Sequence, residues 1–183
     1  MAIIIGKENE TGKMYVRGYD KSGRAVIYMR PGKENSDNED NNMRHLVFTL
    51  EKAIACSQKN KMAKICLIID YEGFKFREAP PMSTAKRTIH ILQHHYPERM
   101  HRAYVCNPPM IFKTFWAVIK PFVDPVTKKK ICFCTGSKGM EQIHSDMGEN
   151  AKSLEPCAGG IQQREFETKE YLSAPLNKAF DEK

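Results

Sequence analysis

The sequence predicts an α/β domain with a mainly parallel β-sheet floor and helices packed around it. Two observations carry this. Strand-like and helix-like segments alternate at least three times after residue 43, the pattern that builds a parallel sheet through helical crossovers. One strand segment, Lys64-Ile65-Cys66-Leu67-Ile68-Ile69-Asp70, is apolar without interruption between charged ends, as a strand buried on both faces must be. A chain of 183 residues has room for one domain whose core needs no disulfide or metal.

Each element follows in order. Met14–Tyr19 and Arg24–Met29 read as two short strands around Asp20-Lys21-Ser22-Gly23, whose Asp, Ser and Gly supply turn chemistry. Pro31–Asn42 is a polar loop, without the glycine and terminal glutamate of a calcium-binding loop. Met43, Leu46, Val47, Leu50 and Ile54 then recur at the spacing of one helical face. The buried strand ends at Tyr71-Glu72-Gly73-Phe74. After Pro80-Pro81, Ser83 is the expected cap of a helix toward His95, with Ala85, Ile89 and Leu92 as its inner stripe. Arg102–Cys106 is a strand stopped by Asn107-Pro108-Pro109. The most apolar helix follows, about Met110 to Val123, ended or kinked by Pro121. Lys130–Cys134 is the next strand, with Lys128-Lys129 in the turn before it. Met140, Ile143 and Met147 mark a short helix, and the chain from Glu149 reads as a polar tail on the surface.

Composition excludes several classes. Hydrophobic residues are 41% and charged residues 28%, which argues against disorder and against a membrane-spanning chain. No apolar run approaches the roughly 20 residues that cross a bilayer, and the apolar start Met1–Ile5 is too brief for a secretory signal. The net charge of +7 draws the chain toward phosphate, whether on lipid or nucleic acid. Nucleic-acid binding rests on that charge alone, with no basic-aromatic stripe, and is not expected. The six cysteines form no C-x-x-C pair, and reduced cytoplasmic thiols are the expected state.

Catalytic templates are absent: no nucleophile elbow, phosphate loop or dinucleotide turn occurs. No nucleophile, base and orienting group stand together, so an enzyme is not expected. His90 and His94 share a helical face, but no third metal ligand accompanies them, and no metal or cofactor is expected. The near-continuous apolar surface of the Met110–Val123 helix means burial on all sides, or a cover over something apolar.

A set of motifs then decides between these. Tyr96-Pro97-Glu98-Arg99-Met100, Asn107-Pro108-Pro109, Trp116, Lys120-Pro121-Phe122-Val123-Asp124-Pro125-Val126-Thr127 and Lys130-Ile131 occur in this order. Asp20-Lys21-Ser22-Gly23-Arg24 and Asp70-Tyr71-Glu72-Gly73 precede them, and Gly159-Gly160 closes the set. Together they resemble the CRAL-TRIO domain, and within it the phosphatidylinositol/phosphatidylcholine transfer proteins, over residues 14–160. Residues 161–183 would be a C-terminal tail of this single domain. Family members usually carry a helical segment before the domain, whereas this chain begins almost at its first strand, as a fragment or a divergent minimal form would.

The resemblance implies a lipid pocket between the sheet floor and a helical gate, here Met110–Val123. It implies that Glu98, Arg99 and Lys130 hold an inositol phosphate headgroup. Fixed cations suit the phosphodiester, and a carboxylate suits the inositol hydroxyls. Ile65 and Leu67 on the floor, with Phe112, Phe115, Trp116, Ile119 and Phe122 on the gate, are the expected apolar walls. About 30 lipid methylenes leaving apolar surroundings forfeit on the order of 24 kcal/mol, which an enclosing cavity must replace. The phosphatidylcholine-binding members carry Tyr, Tyr, Ser and Thr where this chain has Val16, Ile27, Ile65 and Leu67. That drier wall favours a less polar second lipid. The expected protein binds phosphatidylinositol as ligand, meets membranes transiently from the cytoplasm through Lys113, Lys120, Lys128 and Lys129, and exchanges its lipid there or presents it to a lipid kinase. The competing expectation is a regulatory interaction module that kept the fold and lost transfer.

Overall fold

The computed structural model describes residues 2–75, 77 and 81–182. Its centre is a five-stranded sheet in the order β1-β2-β3-β4-β5. The strands are β1 (Met14–Tyr19), β2 (Ala25–Met29), β3 (Ile65–Asp70), β4 (Met100–Cys106) and β5 (Ile131–Cys134). The β1–β2 hairpin is antiparallel and every later pairing is parallel. Asp20 closes the hairpin turn by accepting from the Ser22 and Arg24 amides at 2.9 Å each. Helices α2 (Glu39–Lys59), α3 (Met82–His94), α4 (Phe112–Ile119), α5 (Pro125–Lys130) and α6 (Gly136–Met147) occupy the crossovers and the segment after β5.

Strand alternation gives the sheet two working faces. One carries the cross-strand rows Ile27–Leu67–Ala103–Ile131 and Met29–Ile69–Val105–Phe133. The other carries Tyr28–Ile68–Tyr104–Cys132. Ile143 and Met147 of α6 are fully buried in the same core cluster, and Tyr104 donates to Asp146 at 2.6 Å. All six cysteines are free thiols.

Several local readings change. A helix α1 (Ala2–Glu8) precedes the first strand, where the sequence reading began almost at that strand. Glu39–Asn42 belongs to α2 rather than to the polar loop, because the Asn38 side chain accepts from Asn41 N and caps the helix one turn early. Pro81, not Ser83, stands at the N-cap of α3; Pro80 lies outside the described residues. Lys128 and Lys129 are helical, and Lys130 ends α5 instead of opening β5. Asp124 sets that helix by accepting from Thr127 N at 2.8 Å, with Pro125 at the first helical position. The gate helix is shorter than periodicity suggests. It stops at Ile119, and Lys120–Phe122 forms a 3₁₀ turn around Pro121, whose missing N–H cannot continue the α-helical ladder.

The largest correction concerns the chain after Glu149. Leu154, Ala158, Tyr171, Ala179 and Phe180 are all buried, so this stretch helps to build the core instead of lying on it. Helix α7 (Thr168–Ser173) presents Tyr171, whose hydroxyl accepts from Val16 N at 3.0 Å. Phe180 N donates to Val16 O at 2.9 Å, which pairs the last residues with the outer edge of β1. The closing Gly-Gly has a steric reason: a Cβ on Gly160 would stand 1.9 Å from Leu154 O. Gly160→Ala is therefore expected to destabilise the fold by about 1–3 kcal/mol through forced backbone movement, read as a lowered midpoint in urea unfolding.

Candidate functional site

The face bearing Leu67 and Ile69 is not fully covered by side chains. A cavity of about 560 Å³ lies between it and helices α2, α3 and α4, within the usual range of small-molecule sites, roughly 300–1,000 Å³. Ile65, Leu67, Ile69, Ala103, Val105 and Ile131 form the floor, and Met43, Leu46 and Leu50 of α2 form one side. Val16 and Ile27 share the row of Leu67 but are shut in the core outside the lining. Between its two ends the cavity is walled mainly by carbon.

The gate places its residues unequally. Phe112, Phe115, Trp116 and Ile119 all border the cavity, and Phe112 and Ile119 are the buried pair. Phe112 meets the Tyr71 ring edge-on at 4.8 Å, and Trp116 meets Phe133 at 5.6 Å. Phe122 is not part of the lining. It lies past Pro121, where the change to 3₁₀ geometry turns it outward, 47% exposed beneath the Lys86 ammonium. Met110 and Ile111 just before the helix and Val118 within it are also exposed, although Ile111 borders the cavity as well. Asn107 holds the root of the gate loop by donating to Asp70 Oδ1 at 2.9 Å.

The expected headgroup residues gather at one mouth of this cavity. Glu98 Oε2 lies 3.1 Å from Lys130 Nζ and 3.7 Å from Lys64 Nζ. The Glu98 side chain is 68% exposed and that of Lys130 only 19%, so the lysine forms the inner member of the pair. Glu98 adopts φ 58, a left-handed conformation that costs a non-glycine residue on the order of 1 kcal/mol. Arg99 borders the same mouth, but its guanidinium donates to Ala63 O at 3.0 Å and makes no pair with Glu98. Helix α5 carries Lys130 on its last turn, where a cation complements the helix end. The Asp124 carboxyl at the other end is held below the usual carboxylate range by its hydrogen bonds to Thr127. Gln93 of α3 accepts from Asp124 N at 3.0 Å and fixes that helix to its neighbour.

The opposite end of the cavity is polar too, which the sequence reading missed. Lys13, Arg30, Glu34 and Asn42 border it. Lys13 Nζ is saturated by Glu8 at 2.5 Å, Glu34 at 2.5 Å and Asn42 at 2.7 Å. Arg30 pairs with Glu155, donates to Tyr15 Oη at 2.9 Å and approaches Asp70 at 3.8 Å. No local motif signals these partners, because Glu155 lies 125 residues from Arg30 in the chain.

Among the described residues no group of three or more His, Cys, Asp or Glu side chains could hold a metal ion. The His90 and His94 rings stack at 4.2 Å. Among those residues, too, no helix is long and apolar enough to cross a membrane.

The model of the CRAL/TRIO domain matches residues 9–154. This chain belongs to the CRAL/TRIO domain family. A CRAL-TRIO domain-containing protein of Schizosaccharomyces pombe is 39% identical over 129 residues, covering 70% of this chain and 13% of the relative. The phosphatidylinositol transfer protein PDR17 of Saccharomyces cerevisiae is 32% identical over 134 residues, covering 70% of this chain and 38% of its own length. The SEC14 cytosolic factor of Candida glabrata is 29% identical over 168 residues, with coverages of 80% and 56%. The chain thus spans 13% to 56% of these curated relatives. The solved structure of Sfh5 shares the fold with a TM-score of 0.59 at 23% identity, over 68% of this chain and 50% of that one. As a CRAL/TRIO domain, the chain has its sheet, cavity and gate segment where the motif order placed them.

Proposed function

We propose that this CRAL/TRIO domain is a non-enzymatic phosphatidylinositol carrier that exchanges its lipid at membranes. One observation carries the reading: an apolar cavity whose mouth holds Lys130 Nζ 3.1 Å from the Glu98 carboxylate. The acyl chains would occupy the cavity. The half-buried ammonium of Lys130 would meet the phosphodiester, Arg99 would add a second cation, and Glu98 would accept from inositol hydroxyls. Similarity to phosphatidylinositol transfer protein PDR17 supports the same ligand.

Exchange requires the gate to move, and the gate's outer side suits a membrane. Met110, Val118 and Phe122 are exposed there, and Lys113, Lys120 and Lys129 are exposed among them. Apolar side chains entering the interface and cations meeting anionic headgroups would add their attractions. In this reading the domain works from the cytoplasm, touches membranes transiently and hands its lipid to the bilayer or to a lipid kinase.

Lys130→Ala is expected to abolish phosphatidylinositol transfer between vesicles while the unfolding midpoint stays within the range of exposed ion-pair losses, about 1 kcal/mol or less. Transfer at the wild-type rate would refute the headgroup assignment. Recovery of a stable, lipid-free protein from every expression host would favour a protein-interaction module.

A further inference from the structure

The sheet face turned away from the cavity carries a pair of thiols. Cys106 ends β4 and Cys134 ends β5. The two are direct partners in the parallel register, so their side chains leave the same face beside each other. Registered partners on neighbouring strands stand about 4.8 Å apart, inside the Cα range that a disulfide accepts, roughly 4.4–6.8 Å. Both are free thiols and neither borders the large cavity. Cys106 is fully buried. Cys134 is 3% exposed, yet it lines a separate surface recess of about 400 Å³ with Asn107, Thr135, Gly136 and Met140. That recess gives a small oxidant a way to Cys134.

The surroundings make Cys134 the attacking sulfur. A hydrogen bond from the Cys106 thiol holds the Cys134 thiol below its usual range, and that contact, together with burial, pushes Cys106 up. Burial raises Cys56, Cys66 and Cys157 instead. Helix α6 begins two residues after Cys134, and Thr135 at its N-cap makes no side-chain hydrogen bond. The first turn of α6 lies directly on the strand end, since a Cβ on Gly139 would clash with Cys134 Cα. The positive end of a helix favours a thiolate. Among the described residues β5 is a four-residue edge strand held in the sheet by β4 alone. Its end can therefore yield the ~1 Å that brings the two Cβ atoms to disulfide distance.

We propose that Cys106 and Cys134 are a redox-active dithiol, which hydrogen peroxide closes into a disulfide between the two strand ends. The Cys134 thiolate attacks one peroxide oxygen, the O–O bond breaks, and the leaving hydroxide takes up a proton as water. The Cys106 sulfur then attacks the sulfenic acid formed at Cys134. The S–S bond forms, the S–O bond breaks, and the departing hydroxide carries off the Cys106 proton as a second water. Two thiols and one peroxide become one disulfide and two waters. Cys106 is followed by Asn107, which holds the root of the gate loop on Asp70, so the new bond fastens that root to the edge of the sheet. This chemistry is independent of what the cavity holds.

The folded protein is treated with dilute hydrogen peroxide, the remaining thiols are blocked with iodoacetamide, and unreduced peptides are mapped by mass spectrometry. Wild type is expected to lose two of its six thiols and about 2 Da of mass, with Cys106 joined to Cys134, and to regain both thiols in dithiothreitol. In Cys106→Ala, dimedone added with the peroxide is expected to label Cys134 as a sulfenic acid, whereas in Cys134→Ala it leaves Cys106 unlabelled. The wild-type map decides by itself if either variant fails to fold. A bond from Cys106 to Cys157, from Cys132 to Cys134 or between two copies of the chain overturns the inference. Oxidation of the pair only in urea overturns it too, as does a Cys134 sulfinic acid with no bond to Cys106.

Discussion

Glu155→Leu is expected to destabilise the domain by about 3–5 kcal/mol, a loss large enough to unfold much of the population. Glu155 is 3% exposed and is the hub of a buried charge network. Its Oε1 accepts from Arg17 Nη1 at 2.7 Å and from the Tyr15 hydroxyl, and its Oε2 pairs with Arg30. Its amide donates to Tyr28 Oη at 3.1 Å. Arg17 continues the chain of contacts to Asp181 and to Arg164 O. Removing the carboxylate leaves the Arg17 guanidinium, 4% exposed, with half its compensation gone, and Arg30 leans on Asp70 alone. The leucine side chain fits the volume but satisfies neither cation, which is why losing one partner costs far more than the network adds over an apolar core. Urea unfolding measures the effect. A loss under about 1 kcal/mol would mean that water reaches both guanidiniums.

Acid is expected to destabilise the wild-type protein through His45. Its side chain is fully buried in α2, and neither ring nitrogen has a hydrogen-bond partner among the described residues. Burial lowers its pKa to about 3, the Lys13 charge pushes the same way, and a Met14 backbone contact pulls weakly back. The ring is therefore neutral in the fold, while the unfolded chain titrates near 6.5. Stability is complete above about pH 6.5. It falls as pH drops toward 3, because the unfolded state binds a proton that the folded state refuses. The single group contributes on the order of 4 kcal/mol across that window. His45→Met removes the titration and the unpaired nitrogens together. Its unfolding free energy should match or exceed wild type at pH 8 and should fall less steeply between pH 6.5 and 4.5. Equal slopes in the two proteins would overturn the assignment of the acid response to His45.

These two residues also show where the sequence stopped being readable. The sheet and its helices follow from local patterns: the uninterrupted Ile65–Ile69 run, the Leu46–Leu50–Ile54 stripe and the proline stops. The mouth followed because Glu98-Arg99 and Lys130 sit in motifs of fixed order. Glu155, Arg17 and Lys13 look like solvated charges in sequence, since a charged residue is rarely buried without a partner and their partners lie up to 164 residues away. Tyr171 and Phe180 are isolated apolar residues among charges, with no period to betray that they are buried. The gate was drawn too long because apolar spacing continues through Phe122 although Pro121 changes the helix.

The pairing of Val16 with Tyr171 and Phe180 has a consequence for biosynthesis. The hairpin of β1 and β2 leaves the ribosome well before Tyr171 and Phe180 and can zip locally, but its outer border is completed only by those later residues. Until they arrive, one flank of the nascent hairpin stays unprotected. Closure of so distant a contact is entropically late, so chaperone dependence during synthesis should concentrate on that exposed first strand.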